Sequence, residues 1–364
     1  MQLELAGWND FWAQQFGEIA NKGLHAARVL AQHRGSYLLW TDCGEAEGEP
    51  AGALLYRAGP GELPVTGDWV TIRQYSPADI AIITDVLPCK TKFSRKVSGR
   101  AAEEQVIAAN IDLLFIVCGL DHDYNLRRLE RYLVSAGQSG ANPVVVLNKA
   151  DLCPETAQRV SQVRGIAPET PVLAISADRD AGALLSLIGP GQTAALVGSS
   201  GAGKSTIVNK LLGRDVQTTQ PTRVADSRGR HTTTHRELFF LPNGGLILDN
   251  PGIRELQLWA PDFLPGSAPS GLQIGSAFQQ AFPDIAVWAA QCAFRDCSHN
   301  AEPGCAVQTA LSSGAIDQPR WRSYLKLRRE LRHAAVEADE NLRRTEKLRF
   351  KKACKDLKRN QKRK

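Results

Sequence analysis

The chain has 364 residues, 43% hydrophobic and 23% charged, with a net charge of +6. These proportions are those of an ordinary globular protein and exclude collagen-like and low-complexity chains. No run of about 18 apolar residues occurs, so no transmembrane helix is expected. The acidic opening, Met1 to Asp10, lacks the basic start of a signal peptide. Eight cysteines without a secretion signal point to free thiols or metal ligands, and so to a cytoplasmic protein with no membrane partner. The charge is uneven: residues 322–364 hold 17 Lys and Arg against 6 Asp and Glu, leaving 27 against 32 elsewhere. A basic end on a near-neutral body implies an anionic partner, nucleic acid above all.

Residues 1–35 read as a partly helical lead-in, with Trp8, Trp12 and Phe16 at helical spacing on a packing face. From Ser36 the pattern changes to short β segments: Tyr37–Trp40, Ala53–Tyr56, Asp68–Ile72 and Ile80–Thr84, separated by Gly, Pro, Asp and Ser. Several short strands with turns between them predict a small barrel or sandwich, and a five-stranded OB-type barrel fits residues 36–95. Lys90 to Arg100 is a basic connector. Ile111–Cys118, Pro143–Leu147 and Pro171–Ile175 are apolar runs of the kind buried parallel strands show, with helical stretches between them, the first from Leu126 to Ala136. That alternation predicts an α/β domain with a parallel sheet, over residues 96–260.

The stretch Gly198, Ser199, Ser200, Gly201, Ala202, Gly203, Lys204, Ser205, Thr206 matches the phosphate-loop pattern G-x-x-x-x-G-K-[ST]. The apolar run Thr193–Val197 precedes it and a helical stretch, Ile207–Leu212, follows, which is the context the motif requires. Glycines allow the backbone to wrap closely around phosphate oxygens, and the helix N-terminus aims N–H groups at the same anion. Lys204 is the residue to reach the β- and γ-phosphates, and the Ser205 hydroxyl is the Mg²⁺ ligand. Asn148, Lys149, Ala150 and Asp151 sit where a strand ends, as do Ser176 and Ala177; ligand loops of such sheets lie at those ends. A carboxylate at Asp151 accepts two hydrogen bonds from guanine N1–H and its 2-amino group, a donor pair adenine lacks. Asn148 and Lys149 brace that loop and cover the base, and the Ala177 amide meets guanine O6.

Residues 213–230 are polar and rich in breakers. They lead to Gly229-Arg-His-Thr-Thr-Thr-His235. A nucleotide switch needs a hydroxyl that reaches Mg²⁺ only when the γ-phosphate is present. Thr232, Thr233 and Thr234 are the candidates; Thr233 is taken as the catalytic one, with the choice among the three open. The strands Glu237–Leu241 and Gly244–Leu248 form a hairpin ending in Asp249-Asn-Pro-Gly252, a D-x-x-G match in which Asp249 holds Mg²⁺ through water and the Gly252 amide senses the γ-phosphate. Ile253 follows, where many Ras-like enzymes carry a water-orienting Gln, so slow unaided hydrolysis is expected.

Pro261 to Gly275 reads as a linker. Cys292, Cys297, His299 and Cys305 have the spacing C-x₄-C-x-H-x₅-C, and three thiolates with one imidazole complete a tetrahedral, structural Zn²⁺ shell. Cys43, Cys89, Cys118 and Cys153 lack clustered partners and are expected to be packing residues. Trp321 to Lys364 is helical in pattern, with a stripe of Tyr324, Leu327, Leu331, Ala335, Ala338 and Leu342. The last fourteen residues carry eight basic side chains and one acid, suited to phosphate contacts without base specificity.

The base-reading motifs precede the phosphate loop, the reverse of the Ras-like order. That order resembles the circularly permuted GTPases. Together with the barrel, Gly-Arg-His-Thr-Thr-Thr and the Cys/His cluster, the chain resembles the ribosome small-subunit-dependent GTPase family (RsgA, also called YjeQ) from about residue 36 to about 310. The resemblance implies a multidomain α/β protein. Its parts are an extension over 1–35, an OB-type RNA-binding barrel over 36–95, a circularly permuted P-loop GTPase domain over 96–260, a zinc-binding helical domain over 261–320, and a basic helical tail over 321–364. It implies GTP/GDP with Mg²⁺, one structural Zn²⁺ per chain, and a monomer whose partner is the small ribosomal subunit and its 16S rRNA, acting late in that subunit's maturation. It also implies that His231 orients the attacking water. In this order the Asp249 switch leads straight into the C-terminal region, which a γ-phosphate-dependent shift would then move as a lever. The rival expectations are another RNA-acting GTPase, such as a tRNA or large-subunit factor, and an RNA-binding protein that uses nucleotide only to fold.

Overall fold

Short segments early in the chain close on themselves as a five-stranded barrel. The computed structural model describes residues 2–19, 23–59, 61–74, 76–96, 104–215, 236–249, 275–300 and 302–338. Two short helices, α1 (Gln2–Leu5) and α2 (Asp10–Ile19), come first. The barrel follows: β1 (His25–Gln32), β2 (Tyr37–Thr41), β3 (Gly44–Pro50), α3 (Gly52–Arg57), β4 (Trp69–Arg73) and β5 (Ala81–Val86). Its order is β1-β2-β3-β5-β4, closed by β1 against β4, with only β3 and β5 parallel. Val29, Leu39, Ile72 and Ile83 fill the interior. Burying each such side chain is worth about 1.5–3 kcal/mol. The lead-in packs as its spacing predicts: Trp8 and Trp12 lie against Trp69, ring centroids 4.8 and 6.0 Å away.

Three segments differ from the sequence reading. β1 begins at His25, inside the stretch taken as lead-in. Its six buried residues, Ala26 to Ala31, show no two-residue alternation because β1 pairs with β2, β4 and a strand of the next sheet, and the charged Arg28 interrupts the apolar run. β3 is Gly-Glu-Ala-Glu-Gly-Glu-Pro, with no β-formers. It fits because Gly48 passes Leu39 where a Cβ would sit 2.5 Å from Leu39 Cδ1. Ala53–Tyr56, expected as a strand, belongs to α3. A short apolar run is ambiguous between helix and strand; here Leu54 alone is buried, while Tyr56 is 95% exposed, against the alternation a strand requires.

β6 (Lys92–Lys96) and β7 (Glu104–Ala109) form a two-stranded sheet of their own. The α/β part then runs β8 (Leu113–Gly119), α4 (Leu126–Ser139), β9 (Asn142–Asn148), α5 (Thr156–Ile166), β10 (Val172–Ala174), α6 (Ala177–Asp180), β11 (Thr193–Gly198), α7 (Lys204–Leu212), β12 (Glu237–Phe240) and β13 (Leu246–Asp249). Strand order is β10-β9-β8-β11-β13-β12, parallel except for the β12–β13 hairpin. Val117, Val146, Leu196, Ile207 and Ile247 share its core. β12 pairs with β1, so barrel and parallel sheet are continuous.

Contacts divide the chain into two units, residues 1–94 with 106–256, and 95–105 with 257–364. The second holds α8 (Ser276–Ala281), α9 (Pro283–Ala289), α10 (Ala306–Ser312) and α11 (Gln318–Ala338). Its core is aromatic: Tyr324 lies 5.2 Å from Phe278, 5.4 Å from Phe282 and stacks on Trp321 at 5.1 Å. Tyr324, Leu327, Leu331 and Ala335 are buried, as the stripe predicts, while Leu342 lies outside the described residues. Arg320 is buried and holds Asp284 through two hydrogen bonds, 2.7 and 3.1 Å. Among the described residues no helix is long and apolar enough to cross a membrane.

Candidate nucleotide and metal sites

Parallel strands β8, β9, β10, β11 and β13 bring their carboxyl ends to one edge of the sheet, and the predicted motifs are there. The phosphate loop leaves β11 at Gly198 and enters α7 at Lys204. Gly198, Gly201 and Gly203 have φ of 151°, 82° and 97°, a region glycine adopts without penalty. The Lys204 ammonium lies across the loop, donating to Gly198 O at 2.8 Å and Ser199 O at 2.6 Å. Ser205 follows in the first turn of α7. Asp249 ends β13 next to β11, and is buried.

Asn148 joins the base-reading loops to the phosphate loop. It ends β9 and is 2% exposed. Its Nδ2 donates to Ala202 O at 2.9 Å, and its Oδ1 accepts from the Ala177 amide at 2.9 Å. A Cβ on Gly203 would lie 2.1 Å from Asn148 Nδ2, so the glycine is what allows the side chain through. Three residues on, Asp151 Oδ1 accepts from Ser176 Oγ at 2.8 Å, and the Asp151 amide donates to the same Oγ at 3.2 Å. Ser176 therefore sets the direction of the carboxylate. Lys149 holds a left-handed backbone, φ 64°, uncommon for a residue with a Cβ. Asn148, Lys149, Asp151, Ser176 and Ala177 thus stand beside Gly198 to Thr206 in one place, although 21 to 58 residues separate them in the chain.

In the second unit, Cys292, Cys297, His299 and Cys305 place their ligand atoms within 4.8 Å of one another. Cys292 Sγ is 3.5 Å from His299 Nδ1 and 3.9 Å from Cys305 Sγ; Cys305 Sγ is 3.6 Å from His299 Nδ1. A tetrahedron with Zn–S near 2.3 Å and Zn–N near 2.05 Å has edges of about 3.6 Å (S to N) and about 3.8 Å (S to S). The cluster has the donors and the dimensions of a four-coordinate metal site. His299 reaches it from a left-handed backbone, φ 61°, and its ring meets Trp321 edge-on at 6.2 Å. Of the other thiols, Cys118 is buried, whereas Cys43 and Cys89 are exposed and do not pack as expected.

A family model described as RsgA GTPase matches residues 86–259. The "Small ribosomal subunit biogenesis GTPase RsgA" of Opitutus terrae is 46% identical over 363 residues, 97% of this chain and 96% of its own. The chain belongs to the RsgA GTPase family. The protein of the same name from Leptospira interrogans is 46% identical over 312 residues, 85% of this chain and 83% of its own. Two solved structures share the fold: YjeQ from Thermotoga maritima (TM-score 0.61, 22% identity, 85% of this chain and 98% of that one) and YloQ, a circularly permuted GTPase (TM-score 0.60, 19% identity, 86% and 97%). This RsgA-family chain is a GTP-hydrolysing P-loop enzyme, and the family uses a guanine nucleotide with Mg²⁺. His231, Thr232, Thr233, Thr234 and Gly252 lie outside the described residues.

Two residues not singled out from the sequence stand inside the site. Asp121 and Asp123 follow β8. Asp121 Oδ2 accepts from Lys149 Nζ at 2.6 Å. Asp123 accepts from Ser199 Oγ and from Arg128 Nη1. Burial pushes the Asp121 carboxyl up, but the hydrogen bond and charge of Lys149 and the Asp123 amide outweigh it and hold the group below its ordinary value. Acids directly after an apolar parallel-strand run were the signal available.

Proposed function

We propose that this chain binds GTP between Asp151 and Lys204, hydrolyses it on the small ribosomal subunit, and acts in that subunit's maturation. The observation that carries the reading is Asn148, whose one amide bonds both the phosphate loop and the Ser176-Ala177 loop. Asp151, aimed by Ser176, reads guanine N1–H and the 2-amino group, and the Ala177 amide, placed by its bond to Asn148 Oδ1, is the donor for guanine O6. The amides from Ser199 to Thr206 and the Lys204 ammonium hold phosphate oxygens. Ser205 and Asp249 are the Mg²⁺ residues, and the ion supplies charge neutralisation at the β- and γ-oxygens. His231 orients water and one of Thr232 to Thr234 completes the switch. Cys292, Cys297, His299 and Cys305 hold one structural Zn²⁺, whose chemistry is to cross-link the loops of the second unit. Relatives named for small-subunit biogenesis, the barrel, and the basic end support 16S rRNA as the contact surface and the cytoplasm as the place. The test is GTP turnover with and without purified small subunits, beside co-sedimentation with separated subunits and a GTP analogue. Stimulation and binding by the small subunit alone are expected. Equal binding to large subunits or tRNA assigns the enzyme to the rival class.

A further inference from the structure

The loop between β8 and α4 bonds to both the base-reading loop and the phosphate loop. Asp121 Oδ2 accepts from Lys149, in the base-reading loop, at 2.6 Å. Asp121 Oδ1 accepts from the Asp123 amide at 3.0 Å. The Asp123 carboxylate accepts from Ser199, in the phosphate loop, whose carbonyl in turn accepts from Lys204. Three further bonds fix the loop itself. Arg128 holds the other Asp123 oxygen, and Asn125 caps α4, its Oδ1 accepting from the Arg127 and Arg128 amides at 2.9 and 3.2 Å. Gly119 is needed for the curl, since a Cβ there would meet Asp121 Oδ1 at 2.8 Å. Lys149 and Asp121 are 20% and 17% exposed, so their pairing is only partly screened by water.

We infer that Asp121 and Asp123 are positioning residues: they fix Lys149 and Ser199 relative to each other, and so set how slowly bound guanine nucleotide leaves. The inference rests on the assignment of Asp151 and Lys204 to opposite ends of one nucleotide. A bound GDP spans both loops, so its release requires their separation. Asp121 and Asp123 resist that separation through Lys149 and Ser199, without touching the nucleotide themselves.

The full-length protein is loaded with a fluorescent GDP analogue and release is followed after excess GDP is added. Asp121→Asn and Asp123→Asn keep the shape and remove the charge. Each is expected to speed release about tenfold, the scale of one charge-assisted hydrogen bond. Asp121→Glu restores the rate to within about threefold of wild type, and thermal unfolding without nucleotide moves little. Adding Asp121→Asn to Lys149→Met brings no further acceleration, because the pair acts as a unit. Wild-type release in both Asn variants overturns the inference. So does an accelerated release that comes only with matching loss of nucleotide-free stability and no rescue by Glu. Asp151→Asn and Lys204→Ala are run alongside. Should those two bind GDP as wild type does, the nucleotide assignment itself fails, a result separable from failure of the two loop aspartates alone.

Discussion

Replacing Gly203 by alanine tests whether Asn148 is the joint between base and phosphate loops. Two costs add at this position. Gly203 has φ 97°, where a Cβ costs about 1 kcal/mol. The new Cβ also lies 2.1 Å from Asn148 Nδ2, so that side chain must move and its bond to Ala202 O is lost. Breaking a buried hydrogen bond and leaving a partner unsatisfied costs about 1–3 kcal/mol more. The total is about 2–4 kcal/mol. Gly213→Ala is the matched control: it too has a left-handed φ, 66°, at the end of α7, but nothing lies within 4 Å of its Cβ position. It is expected to lose about 1 kcal/mol and no more. Urea denaturation of nucleotide-free protein gives both values, and titration with a fluorescent GDP analogue gives affinity. Affinity should fall at least tenfold in Gly203→Ala and stay near wild type in Gly213→Ala. In an Asn148→Ala background the Gly203 substitution should cost only its backbone part. Equal losses for the two glycines, or full additivity with Asn148→Ala, would refute the joint.

Metal analysis of purified protein should find about one zinc per chain, and Cys297→Ser should lose it and lower the unfolding temperature; zinc-free protein of unchanged stability refutes the four-ligand site. Asp68, almost wholly buried, has its carboxyl raised to about 7, first by burial, against a hydrogen bond from the Val65 amide and the charge of Arg28. The folded state thus holds a proton that the unfolded state releases near pH 4. This contribution is complete below about pH 4 and falls by up to about 1.4 kcal/mol per pH unit until pH 7. Asp68→Asn should flatten that stretch of the stability profile, and an unchanged slope rejects it. Deleting residues 351–364 removes eight basic side chains and one acid; subunit affinity and the steepness of its salt dependence should both drop, with intrinsic turnover kept, whereas an unaltered salt slope places the phosphate contacts elsewhere.

The parts of the fold that were legible from sequence are those whose chemistry leaves little choice. A phosphate loop needs glycines at φ values other residues avoid, and Gly198, Gly201 and Gly203 have them. The Cys/His cluster was legible because three thiols and an imidazole within fourteen residues supply a complete set of zinc donors. Strands β8, β9 and β11 are buried on both faces and read as continuous apolar runs. The barrel was harder to read. β3 is legible only once Leu39 is known to occupy the space a side chain at Gly48 would take, and β1 looks like a lead-in until its three pairing partners are in place. Asp121 and Asp123 belong to the same class. Their place after an apolar strand run marks only the ligand edge of the sheet; their role comes from Lys149 and Ser199, 28 and 76 residues away.

The Arg28 side chain shows why barrel and nucleotide sheet behave as one unit. It is 2% exposed and lies over the Trp69 ring, and burial lowers its pKa to about 10, with Asp112 and Asp68 opposing. A cation so placed is tolerated only when its donors are satisfied. Its Nε donates to Gly67 O in the barrel, and Nη1 to Ala6 O in the lead-in. Nη2 donates to Asn110 O and, at 2.7 Å, to Thr193 Oγ1, where β11 begins. A planar fork meets these acceptors from four segments at once, which a lysine ammonium cannot do. The same strand, β1, pairs with β12, the first strand after the Thr232–Thr234 stretch, and β12 turns back through β13 to Asp249. The barrel is therefore joined to the start of the phosphate-loop strand by Arg28 and to the switch hairpin by backbone pairing. A strain applied to the barrel by a bound partner meets the nucleotide site through these two joints, both built from buried, directional bonds.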